Sequence, residues 1–371
     1  MTILQERIST RLGASPLDRA VDQANIKSDL RLPSESRVRL IVIGSVFLVA
    51  VICLAAKLLY PYTFLGNPAP ASLLHWLLPR LKKLVSGWSL ASMICYPMLM
   101  LAILLLERII PAVPTQKTFG TGFVYDALWE LMTAVTAIII AKWYSVLLYT
   151  IYLRYLHFLT PAFTASIPEL LRLVLAVALL DFVRWFQHLL QHKVKWLWPF
   201  HAVHHAQREM NLFSSERLHI VDVMVAVTFG LLFLLTAGLN VPTVVWWFMI
   251  ATWHGRLYHA NIKTDFGPLR YLIVTPQSHR IHHSKRREHY DANYGGMFSV
   301  WDYLFGTQIR DYEIYPESGI DDENFPVETT QSVAGVLATF AREMLYPFQS
   351  LWASRKRRAD AEKTPGEIAA K

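Results

Sequence analysis

Long apolar stretches dominate the first half of the chain. The stretch 40–60 (LIVIGSVFLVAVICLAAKLLY) is apolar almost throughout, and at about 20 residues it is long enough to cross a bilayer. Similar stretches at 88–106, 128–150 and 168–186 predict three further membrane spans.

A fifth apolar stretch, 221–253, is long enough for two passes. Gly238, Asn240 and Pro242 place turn residues near its middle, which is typical of a helical hairpin. Basic residues among leucines at 73–85 are typical of a segment that lies at the membrane interface. The sequence therefore predicts an all-α integral membrane protein with four to six transmembrane helices.

The two ends of the chain are polar. Residues 1–39 carry mixed charge and predict a polar leader, and 40–167 then forms an N-terminal transmembrane region. The region 168–310 contains most of the histidines, and 311–371 forms a polar cytosolic tail. Within this tail, 332–346 has apolar residues at nearly helical spacing, which predicts either a helix on the membrane surface or an ordinary solvated helix.

The composition favours a membrane protein. Charged residues make up 17% of the chain, against about 25% in an average soluble domain, and hydrophobic residues make up 53%. Only two cysteines, Cys53 and Cys95, are present, which excludes a disulfide framework and a cysteine-based metal site. The net charge of +8 indicates attraction to anionic lipid headgroups, and we expect no nucleic-acid partner because the basic residues form no long stripe.

Basic residues also indicate the orientation. Arg31, Arg37 and Arg39 precede the first predicted span, so the positive-inside rule favours a cytoplasmic N-terminus. The chain returns to the same side after four spans and again after the hairpin. We therefore expect a multi-pass protein of the cell (inner) membrane, with a helical cap on its cytoplasmic face.

The 14 histidines fall into clusters. The first is an i,i+4 pair in FQHLLQH, and two HxxHH triplets follow in FHAVHH and SHRIHH, all with spacings that share one face of a helix. Two more histidines lie between the triplets, in WHGRLYHANI. Ten residues are therefore candidate metal ligands: His188, His192, His201, His204, His205, His254, His259, His279, His282 and His283.

Imidazole chemistry explains why histidines would gather in this way. Neutral imidazole is a good ligand for iron, zinc, copper and nickel, and one ion needs only a few ligands. The number of candidates is sufficient for two metal ions, and the alternative is a set of structural or pH-sensing histidines.

Three further residues are candidates to support the ligands. Asp181 lies seven residues before His188, two helical turns away on the same face, where its carboxylate could orient a ligand. His219 and Asp222 are also candidates for this role, and a structural cap or salt bridge is the alternative explanation for each.

From about residue 181 to 307 the sequence resembles the fatty acid hydroxylase/sterol desaturase superfamily of integral-membrane di-iron oxygenases. The resemblance rests on LWPFHAVHH, HANI, FGPLRYLIVTPQSHRIHHS and DANYGGMFSVWDYLFGT. It implies that the histidines hold two iron ions in a cytosolic cap and that O₂ is a co-substrate. Many members have arginine directly after the first box histidine, where this chain has Leu189.

The resemblance implies hydroxylation of a C–H bond of a lipid, such as an acyl chain. A sterol or hopanoid desaturase of the same superfamily is the alternative. A different class, a membrane electron carrier with histidine-ligated haem, would need histidine pairs at bilayer depth, and a metal transporter would need ligands inside the spans. Because the sequence contains no GxGxxG fingerprint, we expect electrons from a separate ferredoxin, cytochrome or reductase.

Overall fold

Helices joined by irregular loops make up the described part of the chain. The computed structural model describes residues 90–137, 142–161, 167–238, 241–330 and 332–363. These ranges contain isolated β-bridges but no β-strand, which confirms the helical class for them. The α-helices are α1 (Leu90–Ile109), α2 (Thr121–Thr136), α3 (Lys142–Ile151), α4 (Glu169–Lys193), α5 (Trp198–His205), α6 (Ile220–Thr236), α7 (Val241–His259), α8 (Pro276–His282), α9 (Val300–Phe305) and α10 (Val333–Lys363).

Most of the predicted apolar stretches fall on helices. The second stretch lies on α1, the third on α2 and α3, and the fourth on α4. The predicted hairpin corresponds to α6 and α7, and Gly238 between them has a φ of 64°, which glycine adopts without strain. The leader, the first predicted span and the predicted interfacial segment 73–85 lie outside the described residues.

Within the described ranges, one helix is long and apolar enough to cross a membrane. It is Val174–Lys193 in α4, with a mean hydropathy of 1.2. Ile220–Thr236 is also apolar but shorter. The topology of four to six spans therefore stays a prediction.

One face of helix α1 is apolar and exposed at the protein surface. Met98, Leu101, Leu105 and Ile109 are each at least 44% exposed. Their spacing of three and four residues places them on one side of the helix. Contiguous exposed apolar surface of this kind is typical of contact with a membrane or with a partner protein.

The helices that carry the histidines pack against apolar neighbours. Leu180 of α4 lies in one buried cluster with Leu234 of α6 and Ala251 of α7. Helix α5 lies in a second cluster, where its residue Val203 packs with Trp129 of α2. These two clusters fix the positions of the helix ends from which the histidines project.

The C-terminal helix belongs to the second cluster. Tyr346 of α10 is 4% exposed and packs with the same residues as α5. The opposite side of α10 exposes Leu345, Phe348 and Trp352. The segment predicted as a surface or solvated helix is thus half core and half exposed apolar surface.

Candidate metal centre

The histidine motifs lie at helix ends, and local sequence explains where these helices begin. Helix α5 has a proline, Pro199, in its first turn, where the missing N–H is not needed. Helix α8 begins with a capping box, in which Ser278 N donates to Thr275 Oγ1 and Thr275 N donates to Ser278 Oγ, both at 3.0 Å. The cap fixes the start of α8, so the histidines that follow share one face.

Five histidines converge in a first group. Their ligand nitrogens all lie within 4.8 Å of one another. The shortest contact recorded between them joins His282 Nε2 to His188 Nε2, at 3.0 Å. The members of this five-histidine group are His188, His192, His201, His205 and His282.

Four other histidines form a second group, also within 4.8 Å. His259 Nε2 lies 3.1 Å from His204 Nε2 and 2.9 Å from His279 Nε2. His283 Nε2 lies 3.0 Å from His279 Nε2. The members of this four-histidine group are His204, His259, His279 and His283.

The two groups are adjacent. The rings of His205 and His283, one from each group, stack with their centroids 4.3 Å apart. Each group draws on helices far apart in sequence, and α5 and α8 contribute to both. In each HxxHH motif, the two adjacent histidines therefore belong to different groups, because adjacent side chains on a helix point about 100° apart.

The donor chemistry of both groups fits a metal ion. Nitrogens about 3 Å apart can all lie about 2.1 Å from one ion, the length of a zinc–imidazole bond. His192 Nε2, His201 Nε2 and His205 Nε2 are buried and make no hydrogen bond in the described part of the chain. Buried polar atoms are normally satisfied, so converging nitrogens without a hydrogen-bond partner fit the coordination of a metal ion.

The imidazoles are held in the neutral state that binds metals. Burial, together with the charge of neighbouring imidazoles, lowers the pKa of both His259 and His282 to about 3. The pKa values of His204, His205 and His283 are well below the ordinary value for the same reasons. No protons therefore compete with a metal near neutral pH.

Hydrogen bonds at Nδ1 set the tautomer of several of these histidines. His259 Nδ1 lies 2.7 Å from Gly255 O, and His282 Nδ1 lies 2.7 Å from Ala292 O. Because carbonyl oxygens only accept, each Nδ1 carries the proton and each Nε2 lone pair faces its group. His188 Nδ1 makes the same bond, at 2.9 Å, with a backbone carbonyl at position 294.

Among the predicted supporting residues, Asp222 lies beside a candidate ligand, His201. Its Oδ2 is 3.2 Å from His201 Nδ1, and its Oδ1 accepts from Gln191 Nε2 at 2.7 Å. Asp222 is therefore placed to orient His201. Asp222 also lies in the first turn of α6, where a negative charge interacts favourably with the helix dipole.

The other two supporting candidates, Asp181 and His219, contact neither histidine group. The carboxylate of Asp181 accepts from Met297 N and Phe298 N, both at 3.0 Å, and from Trp301 Nε1. His219 Nδ1 accepts from Val221 N and so caps α6. In the described part of the chain these residues shape the scaffold around the histidines.

His254 is the one predicted ligand that the structure places in neither group. It lies on α7 and is 7% exposed. Neither of its ring nitrogens makes a hydrogen bond in the described ranges. A spacing of five residues from His259 rotates the two side chains by about 500°, or about 140° apart on the helix, which explains the separation.

A buried charge cluster that the sequence did not reveal supports α5. Arg217 is completely buried and donates from Nε to Val203 O at 2.9 Å. Its guanidinium contacts three carboxylates: Asp126 Oδ1 at 3.2 Å, Glu343 Oε1 at 3.0 Å as an ion pair without hydrogen-bond geometry, and Glu328. These partners come from distant parts of the chain, so no local motif could have indicated the cluster.

The part of the chain that carries both histidine groups is similar in sequence to known proteins. Residues 173–307 match the family model described as Fatty acid hydroxylase. Ornithine lipid hydroxylase OlsE of Rhizobium tropici is 32% identical over 140 residues, or 38% of this chain and 42% of that protein. Human alkylglycerol monooxygenase is 27% identical over 157 residues, or 41% of this chain and 33% of that protein.

A longer match covers a shorter relative. The cholesterol 25-hydroxylase-like protein of Danio rerio is 26% identical over 225 residues, or 59% of this chain and 88% of that protein. The matched part of the chain spans less than half the length of the two relatives named before it. No solved structure matches the chain significantly.

Proposed function

We propose that the chain, whose residues 173–307 match the model of the fatty acid hydroxylase family, is a membrane-bound non-haem di-iron oxygenase that hydroxylates a C–H bond of a lipid. The observation that carries the proposal is the convergence of nine histidines into two adjacent groups. All ten predicted ligands except His254 take part, so we assign these nine as the iron ligands.

Iron is the metal that the family implies, and two iron ions bound by the two groups would supply the reduction of O₂ that oxygen insertion into a C–H bond requires. The chain's own contribution is to hold the ligands neutral and oriented. The carbonyl oxygens of Gly255 and Ala292 accept from Nδ1 of His259 and His282, which keeps the Nε2 lone pairs directed inward.

Aromatic rings pack against both groups and shield them from solvent in part. The ring of Tyr258, which is 2% exposed, lies 4.3 Å from the ring of His279 between centroids. The ring of Trp198 lies 5.1 Å from that of His192 and 5.5 Å from that of His205. A dry site protects the protein and the substrate from side reactions during oxidation.

We propose that the lipid reaches the site along α4. Leu175, Leu179 and Phe186 are each about 40% exposed and lie on one side of this helix. An acyl chain in the bilayer can pack against this apolar row. The histidines at the C-terminal end of α4 would then lie next to the acyl chain where it reaches the end of this row.

A haem carrier fits this geometry poorly. Ring nitrogens about 3 Å apart leave no room for a porphyrin between them. The converging nitrogens therefore favour bare ions over haem. Because the chain carries no dinucleotide fingerprint and only two cysteines, the electrons are proposed to come from a separate ferredoxin, cytochrome or reductase.

The proposal also includes the location. We propose a multi-pass inner-membrane protein whose histidine groups face the cytoplasm, where soluble electron donors are available. The apolar α4 and the exposed apolar face of α1 support membrane embedding.

Two measurements test the proposed function. Lipids from cells with and without the gene are compared by mass spectrometry, and a lipid heavier by the mass of one oxygen atom is expected only with the gene. The purified full chain is expected to contain about two iron ions and no haem absorption. A product lighter by two hydrogens would show a desaturase instead, and stoichiometric haem would exclude the di-iron proposal.

Variants connect the product to the site. His204→Ala and His282→Ala remove one ligand from each group, and both are expected to abolish the product while the protein remains in the membrane. His157→Ala is the matched control, since His157 is exposed and lies in neither group. Full product formation by either ligand variant would contradict the proposal.

A further inference from the structure

The C-terminal helix α10 carries apolar side chains on the side that faces away from the core. Five of them are more than half exposed: Val333, Leu337, Leu345, Phe348 and Trp352. Their spacings of three, four and eight residues place them in one row along the helix, which we call the apolar stripe of α10. At a rise of about 1.5 Å per residue, the stripe extends over about 29 Å. Contiguous exposed apolar surface of this kind is typical of an interaction site.

Contacts on the opposite side of α10 hold the helix to the cap. Glu343 is completely buried, and its Oε2 accepts from Trp129 Nε1 at 2.8 Å. Tyr346 is also buried and donates from its hydroxyl to Asp322 Oδ2 at 2.7 Å. Glu343 and Phe348 are five residues apart and therefore point about 140° apart on the helix. While these buried contacts are made, the apolar stripe stays at the surface of the chain.

The same side of α10 meets the chain where two predicted membrane spans begin. Trp129 lies at the start of the predicted span 128–150. His219 caps α6, with which the predicted hairpin 221–253 begins, and its ring lies 5.8 Å from the ring of Phe348. Both of these starts are predicted to lie on the cytoplasmic side. The contacts therefore put the apolar stripe at the level of the cytoplasmic membrane surface.

Basic residues follow the apolar stripe directly. The segment 355–363 (RKRRADAEK) contains five basic and two acidic residues. Arg355 and Lys356 are exposed, and neither forms an ion pair with a carboxylate among the described side chains. Lys356 Nζ lies 5.7 Å from the centroid of the Trp352 ring, at the end of the stripe. A tryptophan beside basic residues is typical of a helix at the membrane interface.

An anionic membrane surface matches both the stripe and the charges. Each basic residue near such a surface strengthens the attraction roughly fivefold, and the cytoplasmic leaflet is the one that carries anionic lipid. We propose that α10 lies on the cytoplasmic surface of an anionic membrane, with its apolar stripe among the acyl chains and with Arg355 and Lys356 at the lipid phosphate groups. This inference rests on the membrane location that is part of the proposed function.

The membrane contact bears on the metal centre through α5. The ring of Phe348 lies 5.4 Å from that of Phe200, which directly precedes His201. Val203 of the same helix packs in one buried cluster with Tyr346. Helices α10 and α5 thus hold the histidine groups at a fixed height above the bilayer surface.

Spin labels on the full chain test where the stripe lies. In a chain with Cys53→Ser and Cys95→Ser, a nitroxide is attached at Trp352→Cys or, as the matched control, at Arg357→Cys, and the protein is inserted into lipid nanodiscs. Position 357 is exposed and points about 140° away from 352. The label at 352 is expected to collide mainly with O₂, which dissolves among acyl chains. The label at 357 is expected to collide mainly with a water-soluble nickel chelate.

Lipid charge tests the basic residues. Nanodiscs of phosphatidylcholine with phosphatidylglycerol, which is anionic, are expected to give a higher ratio of O₂ to nickel collisions at 352 than phosphatidylcholine alone. Arg355→Gln combined with Lys356→Gln is expected to lose this difference, because the two charges together strengthen the attraction roughly 25-fold. Arg286→Gln combined with Arg287→Gln removes the same charge from the exposed loop after α8 and is expected to keep the difference.

Four results would overturn the proposal. They are equal access of nickel to labels at 352 and 357, equal collision ratios at 352 with and without phosphatidylglycerol, loss of the difference in the loop control, and coupling between spins at 352, which would show that a second copy covers the stripe. If Trp352→Cys does not fold, a label at Leu345→Cys reports on the same stripe. These measurements need neither metal nor turnover, so iron content and the oxygenated product remain separate tests of the proposed function.

Discussion

His204 Nε2 lies 3.1 Å from His259 Nε2, although 55 residues separate the two histidines in sequence. His204 belongs to an HxxHH motif on α5, whereas His259 ends α7 and belongs to no repeated motif. The four-histidine group is therefore completed only when the end of α7 is docked against α5 and α8. Metal binding at this group should depend on His259 as strongly as on any motif histidine.

The first prediction compares two histidines of the same helix. His259→Ala is expected to lower the metal content of the purified chain by about one ion, because it removes one of four ligands from its group. His254→Ala is the control and is expected to keep the full content, since His254 lies in neither group. Elemental analysis by mass spectrometry measures both, and equal losses in the two variants would contradict the assignment.

The second prediction concerns the orientation of His201. Asp222→Asn keeps the shape of the side chain but removes the charge that faces His201 Nδ1. Replacing such a partner typically lowers metal affinity or activity about 10–100-fold, and we expect an effect in this range. Competition with a chelator measures the affinity. Asp311→Asn, at an exposed position, is the control, and an unchanged affinity in Asp222→Asn would refute the role.

Nine of the ten histidines that the sequence predicted as ligands converge in the structure, because their spacing along each helix carries information about the face they share. The motifs at 188, 201 and 279 each place side chains on one helix face, and that face is the one turned to the centre. The sequence could not assign the histidines to two groups. The division follows from how α4, α5, α7 and α8 pack. The spacing of residues along one helix does not determine this packing.

The interpretation of Asp181 shows the same limit. Its position two turns before His188 placed both residues on one face of α4, which is correct for a long straight helix. The side chain nevertheless reaches Met297 and Phe298, since a loop from a distant part of the chain packs against that face. Helical spacing predicts which side a residue faces, but not what lies there.

The third prediction uses a close approach at Gly295. A Cβ atom at this position would lie 2.7 Å from Val274 Cγ2 and 3.0 Å from Asp302 Oδ2. Gly295→Ala is therefore expected to shift the turn that presents the carbonyl for His188, at a cost of about 1–3 kcal/mol in stability. A lower unfolding temperature together with a lower metal content is the expected result.

Gly255→Ala is the matched control for this glycine. A Cβ atom at 255 would meet its nearest neighbour at 3.7 Å, which is ordinary contact, and the residue lies inside α7. Alanine is favoured over glycine within a helix, so the variant is expected to be as stable as the wild type or slightly more stable. Equal destabilisation by both substitutions would exclude the steric explanation.

The fourth prediction follows from the buried carboxyl of Glu107. Burial raises its pKa from about 4.5 to about 7, and this effect outweighs the hydrogen bond that Glu107 Oε1 accepts from Asn261 N at 3.0 Å. The folded state thus keeps a proton that the unfolded chain has released. The resulting stability is complete below about pH 4.5 and is lost as pH rises through about 7.

Glu107→Gln removes this dependence, so the wild type should be more stable relative to the variant at pH 5 than at pH 8, by up to about 3 kcal/mol. Comparing the two proteins at each pH cancels the opposite contribution of the buried histidines, whose lowered pKa values make the fold less stable in acid. An unchanged difference in unfolding temperature at pH 5 and pH 8 would show that Glu107 is ionised throughout.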